Sequence, residues 1–430
     1  MKQVFIGLLG VVAVVCIGFF AFAWRPVISP ITPPSASGFS ADLVAKGAVL
    51  AGAGYCASCH TARGGQPYAG GYGLATPFGV IYSANITPDP QTGIGNWSEA
   101  AFARAMHEGV ARDGSYLFPA FPYDHFTKIS DGDVQALYAY LMTLPPVNAP
   151  AKANTMPFPY NIRYLQAGWQ LLFFHDGRYQ PDPTKSAEWN RGAYLAESLG
   201  HCGGCHTPRN AFGAEEAGQA YTGALIDGWI APALTAANPA PVPWTQIDLF
   251  NYLRTGSSDV HGTAAGPMGQ VVHDGLVKLP DADIQAIATY FADIDGSSHS
   301  PVNVKAAEAK AIAASAQSGQ PGVDPDAHLF ENACAACHYN SATPPPAIRP
   351  DLALNTALLQ PDPTNFIQVV LNGIGLQDGL QGVMMPGFAS TMSDDEIARL
   401  AAYLRRTRTD LAPWPDLPAK VAAIRAQALE

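Results

Sequence analysis

Six of the seven cysteines stand in pairs, and each pair is followed at once by histidine: Cys56-Ala-Ser-Cys59-His60, Cys202-Gly-Gly-Cys205-His206 and Cys334-Ala-Ala-Cys337-His338. Two thiols at this spacing can form thioethers to the two vinyl groups of one haem, and the adjacent imidazole then falls under the iron as its proximal ligand. The motifs therefore predict three covalently attached haems c, held by Cys56, Cys59, Cys202, Cys205, Cys334 and Cys337, with His60, His206 and His338 on iron. Thioredoxin-like thiols or zinc sites would account for the paired cysteines but not for a histidine after every pair, and no βαβ pattern surrounds them. Cys16, the seventh, lies in an apolar run and reads as filler.

A haem that only passes electrons generally has both axial positions filled, and methionine in the second raises its potential. The eight methionines are residues 1, 106, 142, 156, 268, 384, 385 and 392. After the third motif, Met384-Met385-Pro386-Gly387-Phe388 lies where a distal loop should cross the haem; Met385 is the expected ligand and Met384 the alternative. After the second, Met268 in Gly266-Pro267-Met268-Gly269 is expected, with His261 and His273 as rivals. The corresponding first loop reads Phe118-Pro119-Ala120-Phe121-Pro122-Tyr123-Asp124-His125-Phe126 and holds no methionine. Met106 is the expected ligand there, because it stands three residues before Gly109 as Leu253 and Val370 stand before Gly256 and Gly373. His125, His107 or an open position are the alternatives, and a Met at helical spacing is also ordinary core packing.

Helices must carry these groups, and the same set recurs around each motif, the motifs lying 146 and 132 residues apart. A helical run precedes each pair: Lys46-Gly-Ala-Val-Leu-Ala, Arg191-Gly-Ala-Tyr-Leu-Ala and Ala327-His-Leu-Phe. A middle helix follows, Ser98 to Gly109, Trp244 to Gly256 and Pro363 to Gly373, each closed by a glycine. A last helix begins at Ser130, Pro280 and Ser393, and two of these starts carry the serine-x-x-acid pattern of a capping box. The expected fold is mainly α, with three tandem haem domains at 41–147, 186–296 and 324–412, each resembling the cytochrome c fold. Linkers are expected at 25–40, 148–185 and 297–323, the second containing an amphipathic helix with Ile162, Leu165, Trp169, Leu172 and Phe173 on one face. A tail helix is expected within 413–430.

Of the 430 residues 48% are apolar and only 14% charged, which excludes disorder; the net charge of −11 gives no footprint for nucleic acid. Val4 to Ala23 is a run of 20 uncharged residues, long enough as a helix to span about 30 Å. Residues 1–24 are thus expected to form an N-terminal transmembrane helix, with a secretory signal cleaved at Ala21-Phe22-Ala23 as the alternative. Either places the haem domains on the periplasmic side of a bacterial inner membrane.

The chain resembles the three-haem cytochrome c subunits of bacterial membrane-bound periplasmic dehydrogenases, which serve alcohol, gluconate, fructose and aldehyde oxidation. The resemblance runs over nearly the whole chain and is carried by Thr76 to Asp89, Thr92-Gly-Ile-Gly-Asn-Trp-Ser and Gly200-His-Cys-Gly-Gly-Cys-His-Thr-Pro-Arg-Asn. Trp24-Arg25-Pro26, Arg104-Ala-Met-His-Glu-Gly and Pro119-Ala-Phe-Pro-Tyr-Asp-His-Phe look most like the subunits accompanying molybdopterin and iron–sulfur aldehyde dehydrogenases. The cytochrome of quinoprotein alcohol dehydrogenases is also similar. The resemblance implies a dehydrogenase large subunit and an iron–sulfur small subunit as partners, and a path for electrons through three haems to ubiquinone in the membrane. The chain holds no Gly-rich dinucleotide fingerprint and no molybdopterin cluster, so substrate oxidation is expected on another polypeptide. A haem peroxidase-like enzyme, which needs an open iron, and a freely diffusing electron carrier are the rivals from other classes.

Overall fold

The computed structural model describes residues 2–296, 305–306, 309, 313, 324–338, 351–375 and 385–427. The chain divides into two compact units, one of residues 1–181 with 197–201 and 210–214, the other of 182–196, 202–209 and 215–430. The expected linker 297–323, with His299, and the candidate ligand Met384 lie almost wholly or wholly outside the described residues.

In the first unit α1 (Lys2–Ala23) is followed by α2 (Ala41–Ala53), the hairpin β1 (Gly73–Thr76) and β2 (Gly79–Tyr82), α3 (Glu99–Glu108), α4 (Asp131–Thr143) and α5 (Gln166–Phe173). Serines fix the helix starts: the hydroxyls of Ser40, Ser98 and Ser130 accept from the backbone N–H of Leu43, Ala101 and Asp133 at 3.2–3.3 Å. Helices α2 and α4 cross so closely at Gly47 that a Cβ there would collide with the carbonyl of Ala136, and Lys46 pairs with Asp133 beside the crossing at 2.6 Å.

The N-terminal segment corrects one expectation. It is helical, yet among the described residues no helix is long and apolar enough to cross a membrane, so an N-terminal transmembrane helix is not supported. The reason is visible at its end. Ala23 is fully buried and packs, with Phe19, on Val110, Tyr116 and Ala167; Phe20 meets the ring of Tyr164 at 5.8 Å. Part of its apolar surface, at Phe19 and Ala23, is thus taken up by packing within the unit. Beyond the helix Arg25 lies over the Tyr116 ring at 5.4 Å, and Arg104 donates to the Pro26 carbonyl at 2.6 Å.

The 161–174 segment also differs in detail. A 3₁₀ turn at Arg163–Leu165 precedes α5 and shifts its phase, so that Ala167 is the buried residue, while Trp169 donates to the Phe212 carbonyl at 3.0 Å and Phe173 packs on the Phe212 ring. Leu171 and Leu172 remain 69% and 67% exposed.

The second unit contains α6 (Ala187–Glu197), the hairpin β3 (Ala224–Ile226) and β4 (Trp229–Ala231), α7 (Gln246–Thr255), α8 (Asp281–Asp295), α9 (Pro325–Ala333), α10 (Thr364–Asn372), α11 (Asp394–Arg408) and α12 (Leu417–Gln427). The close crossing recurs, since a Cβ on Gly192 of α6 would meet the carbonyl of Ala286 on α8, flanked by a two-pronged Arg191–Asp283 pair with both bonds 2.8 Å. In the third copy Ala327 and Arg399 occupy these places, and an Arg399–Asp326 ion pair of 2.8 Å ties α9 to α11. Helix α11 opens with the expected box, Ser393 and Glu396 bonding each other's backbone; α7 has a second box, Thr245 with Asp248. Helix α12 completes the core of the third copy with Leu417, Val421 and Ile424, and the guanidinium of Arg405 lies 4.5 Å over Trp414.

Candidate functional site

Each cysteine motif folds as one tight turn. The N–H of His60, His206 and His338 donates to the carbonyl of Cys56, Cys202 and Cys334 at 2.9, 3.0 and 2.8 Å. Such a turn sets the first cysteine, the second and the histidine on one side, as residues i, i+3 and i+4 of a helix. In the first two motifs the preceding residue, Tyr55 or His201, is left-handed (φ 35° and 32°), a conformation that L residues adopt only where the surroundings hold them.

Among the described residues the six motif cysteines form no disulfide. Burial, then the neighbouring thiol, pushes Cys202 up to about 12 and Cys334 up to about 11, so both are protonated at neutral pH.

The histidines are more telling. Nδ1–H of His60 donates to the Ala84 carbonyl and that of His206 to the Pro232 carbonyl, both at 2.7 Å. A carbonyl can only accept, so the bond fixes the tautomer and leaves the Nε2 lone pair as the ligand atom. Burial lowers both pKa values, which keeps the rings neutral and ligand-ready. These features suit haem iron. The residues following His338 lie outside the described ones.

Among the expected distal ligands, Met385 pairs its backbone with Ile374 in both directions at 2.9 and 3.0 Å, and its side chain lies at the border of the same apolar cluster as Cys334. Met268 is in a short helical turn, Pro267–Gln270, entered through Gly266, which is pressed against the Trp229 ring of β4. The hairpin that anchors His206 thus also touches the loop of Met268. Met106 is buried in α3, as are its counterparts Leu253 and Val370. Of the rivals, His107 has both nitrogens engaged, Nε2 with the Ile129 carbonyl at 3.1 Å and Nδ1 with Arg178 at 2.5 Å. His125 donates from Nδ1 to the Glu197 carbonyl at 2.9 Å. His261 lies flat on Trp244, ring centres 3.9 Å apart, and His273 packs against Gly256.

Sequence reasoning missed Ala84 and Pro232, because a backbone acceptor has no residue signature. In both units the threonine directly after the histidine, Thr61 or Thr207, accepts from the N–H of a left-handed tyrosine, Tyr68 or Tyr221, at 3.2 and 3.1 Å.

Residues 44–145 match the cytochrome c family, and 321–404 match the family described as cytochrome c oxidase, cbb3-type, subunit III. The fructose dehydrogenase cytochrome subunit of Gluconobacter japonicus is 37% identical over 87% of this chain and 81% of its own. The gluconate 2-dehydrogenase cytochrome c subunit of Pantoea cypripedii is 38% identical over 84% and 85%. The chain belongs to the cytochrome c subunits of dehydrogenase complexes. As a member it carries covalently bound haem c and transfers electrons for a partner dehydrogenase. It is also 48% identical, over 94% of its length, to one of the subunits of nicotinate dehydrogenase from Pseudomonas putida, of whose length it spans about a third (34%).

Proposed function

We propose that the subunit carries three haems c, one on each motif, and passes electrons through them from a molybdopterin and iron–sulfur aldehyde dehydrogenase to ubiquinone. In this reading His60, His206 and His338 are proximal ligands, and Met106, Met268 and Met385 distal ones. With these six side chains as ligands, iron would be closed to substrate, and the chemistry that haem would supply is one-electron transfer. The observation that carries the reading is the repeated turn that sets two cysteines beside an imidazole, with the tautomer fixed by a carbonyl in two of the three copies. The protein side supplies orientation, exclusion of water and the basicity of each imidazole. Bound haems would supply the one-electron chemistry that a two-electron, two-proton quinone acceptor needs.

The proposed location is the periplasmic side of the bacterial inner membrane, where a lipid-soluble quinone is within reach. Exposed Leu171 and Leu172 on α5 support association with a lipid surface. A second reading of the partner's substrate, nicotinate, is favoured by the 48% identity to the nicotinate dehydrogenase chain.

Purification of the complex in mild detergent tests both. The expected result is co-elution with a molybdopterin subunit and an iron–sulfur subunit, and reduction of a short-chain ubiquinone on adding an aldehyde or nicotinate, whichever the complex oxidises. Co-elution with a quinoprotein or flavoprotein, or haems reduced without quinone turnover, would overturn the assignment of partner or acceptor.

A further inference from the structure

We infer that Asn365, on the third repeat's helix α10, is a positioning residue for the second haem, acting through the strand whose carbonyl holds His206. The inference rests on the reading that His206 is an iron ligand.

The strand geometry leads there. Asp227 and Gly228 are both left-handed (φ 49° and 72°), which makes the β3–β4 connection a two-residue turn of the type that suits a hairpin. The pair next to such a turn, Ile226 with Trp229, is hydrogen-bonded across the hairpin. The next, Leu225 with Ile230, therefore turns its N–H and C=O groups outward. Ile230 is on an edge strand, and its two backbone groups need partners from elsewhere. Asn365 supplies both: its Oδ1 accepts from the Ile230 N–H at 2.8 Å and its Nδ2 donates to the Ile230 carbonyl at 2.7 Å. The side-chain amide stands in for a third strand. One turn further along α10, Gln368 donates to the Gly228 carbonyl at 3.0 Å and pins the hairpin turn. Two residues beyond Ile230, the Pro232 carbonyl accepts from Nδ1 of His206.

The first unit repeats this design with a different closing element. There the outward edge of β2 is met by the N–H of Thr155 on the Val80 carbonyl and by Asn154 Oδ1 on the Tyr82 N–H, each at 2.9 Å; two residues beyond Tyr82, the Ala84 carbonyl accepts from His60. In the first unit the clamp comes from the segment that follows α4; in the second repeat it comes from the third. Helix α10 meanwhile serves its own repeat, because the Val370 carbonyl accepts from the N–H of Phe388, three residues after Met385. One helix thus touches the Met385 loop on one side and the support of His206 on the other.

The consequence is electronic. The hydrogen bond on Nδ1 raises the basicity of a ligating imidazole and so favours ferric iron. Removing Asn365 frees β4, weakens the Pro232–His206 bond and raises the midpoint potential of the second haem.

The test is a potentiometric titration of the full-length protein, followed by visible spectra, for the parent and for Asn365→Leu, with haem content measured on the same samples. The second haem is identified as the wave missing from a Cys202→Ala, Cys205→Ala variant. Three haems in Asn365→Leu, with that wave alone raised so that its oxidised-to-reduced ratio at fixed potential falls three- to tenfold (tenfold being 59 mV for one electron), would support the inference. Asn365→Asp, which keeps the acceptor for the Ile230 N–H, should shift the wave less, and Asn154→Leu should move the first haem instead. An unmoved second wave with three haems present, or equal shifts of all three, would overturn it. If Asn365→Leu does not accumulate, Gln368→Leu takes its place with the same two outcomes. A His206→Met variant whose second wave does not move would show instead that the ligand assignment is wrong.

Discussion

Replacing Cys202 and Cys205 together by alanine is expected to lower the haem content of the purified chain from three per polypeptide to two and to destabilise the second unit on the order of 5 kcal/mol. The magnitude follows from size. Each repeat has only a few helices around its motif, and a bound porphyrin would add a large share of apolar contact to so small a core. The close crossing at Gly192 brings α6 and α8 together on one side, and Cys202 and Cys205, in the turn after α6, would tie a porphyrin to that pair. Quantifying haem after denaturation, with a thermal melt on the same sample, checks both effects; three haems in the variant would refute the assignment of the second motif.

Met385→Ala is expected to remove the sulfur-to-iron charge-transfer feature of one haem and to lower one midpoint potential on the order of 100 mV, since axial ligands set haem potentials over nearly a volt. The loop should survive the change. Its backbone is held to Ile374 by two hydrogen bonds and Phe388 is held to Val370 at 2.8 Å, so the substitution removes the thioether without displacing the chain. An unaltered spectrum and potential would show that Met385 is packing only.

Much of this was legible in the sequence because it rests on residue types. The cysteine pairs and trailing histidines, the serine starts at Ser98, Ser130 and Ser393 and the closing Gly109 and Gly256 are all local, and the helices begin and end at them. What could not be read is what depends on the backbone meeting something distant. Ala84 and Pro232 act through carbonyls that every residue has, and Asn365 is one of many asparagines until the edge of β4 is placed against it. The glycines at 47 and 192 were visible as letters, but their purpose, a helix crossing too close for a Cβ, appears only when Ala136 and Ala286 are set opposite. The expectation of a transmembrane helix failed for a related reason: an apolar run measures composition, and it does not register that Phe19 and Ala23 are used for packing on Tyr116 and Ala167. The phase of α5 was missed because a 3₁₀ turn before it breaks the helical period on which the prediction depended.

The most direct test of the central claim is the mass of the denatured polypeptide isolated from cells competent to attach haem c. An electron-transfer chain built on three Cys-x-x-Cys-His turns requires the mass to exceed that of the sequence by three covalent haems, with peptides spanning Cys56–His60, Cys202–His206 and Cys334–His338 each carrying one. Two haems, or cysteines at any of these turns found as free thiols, would contradict it.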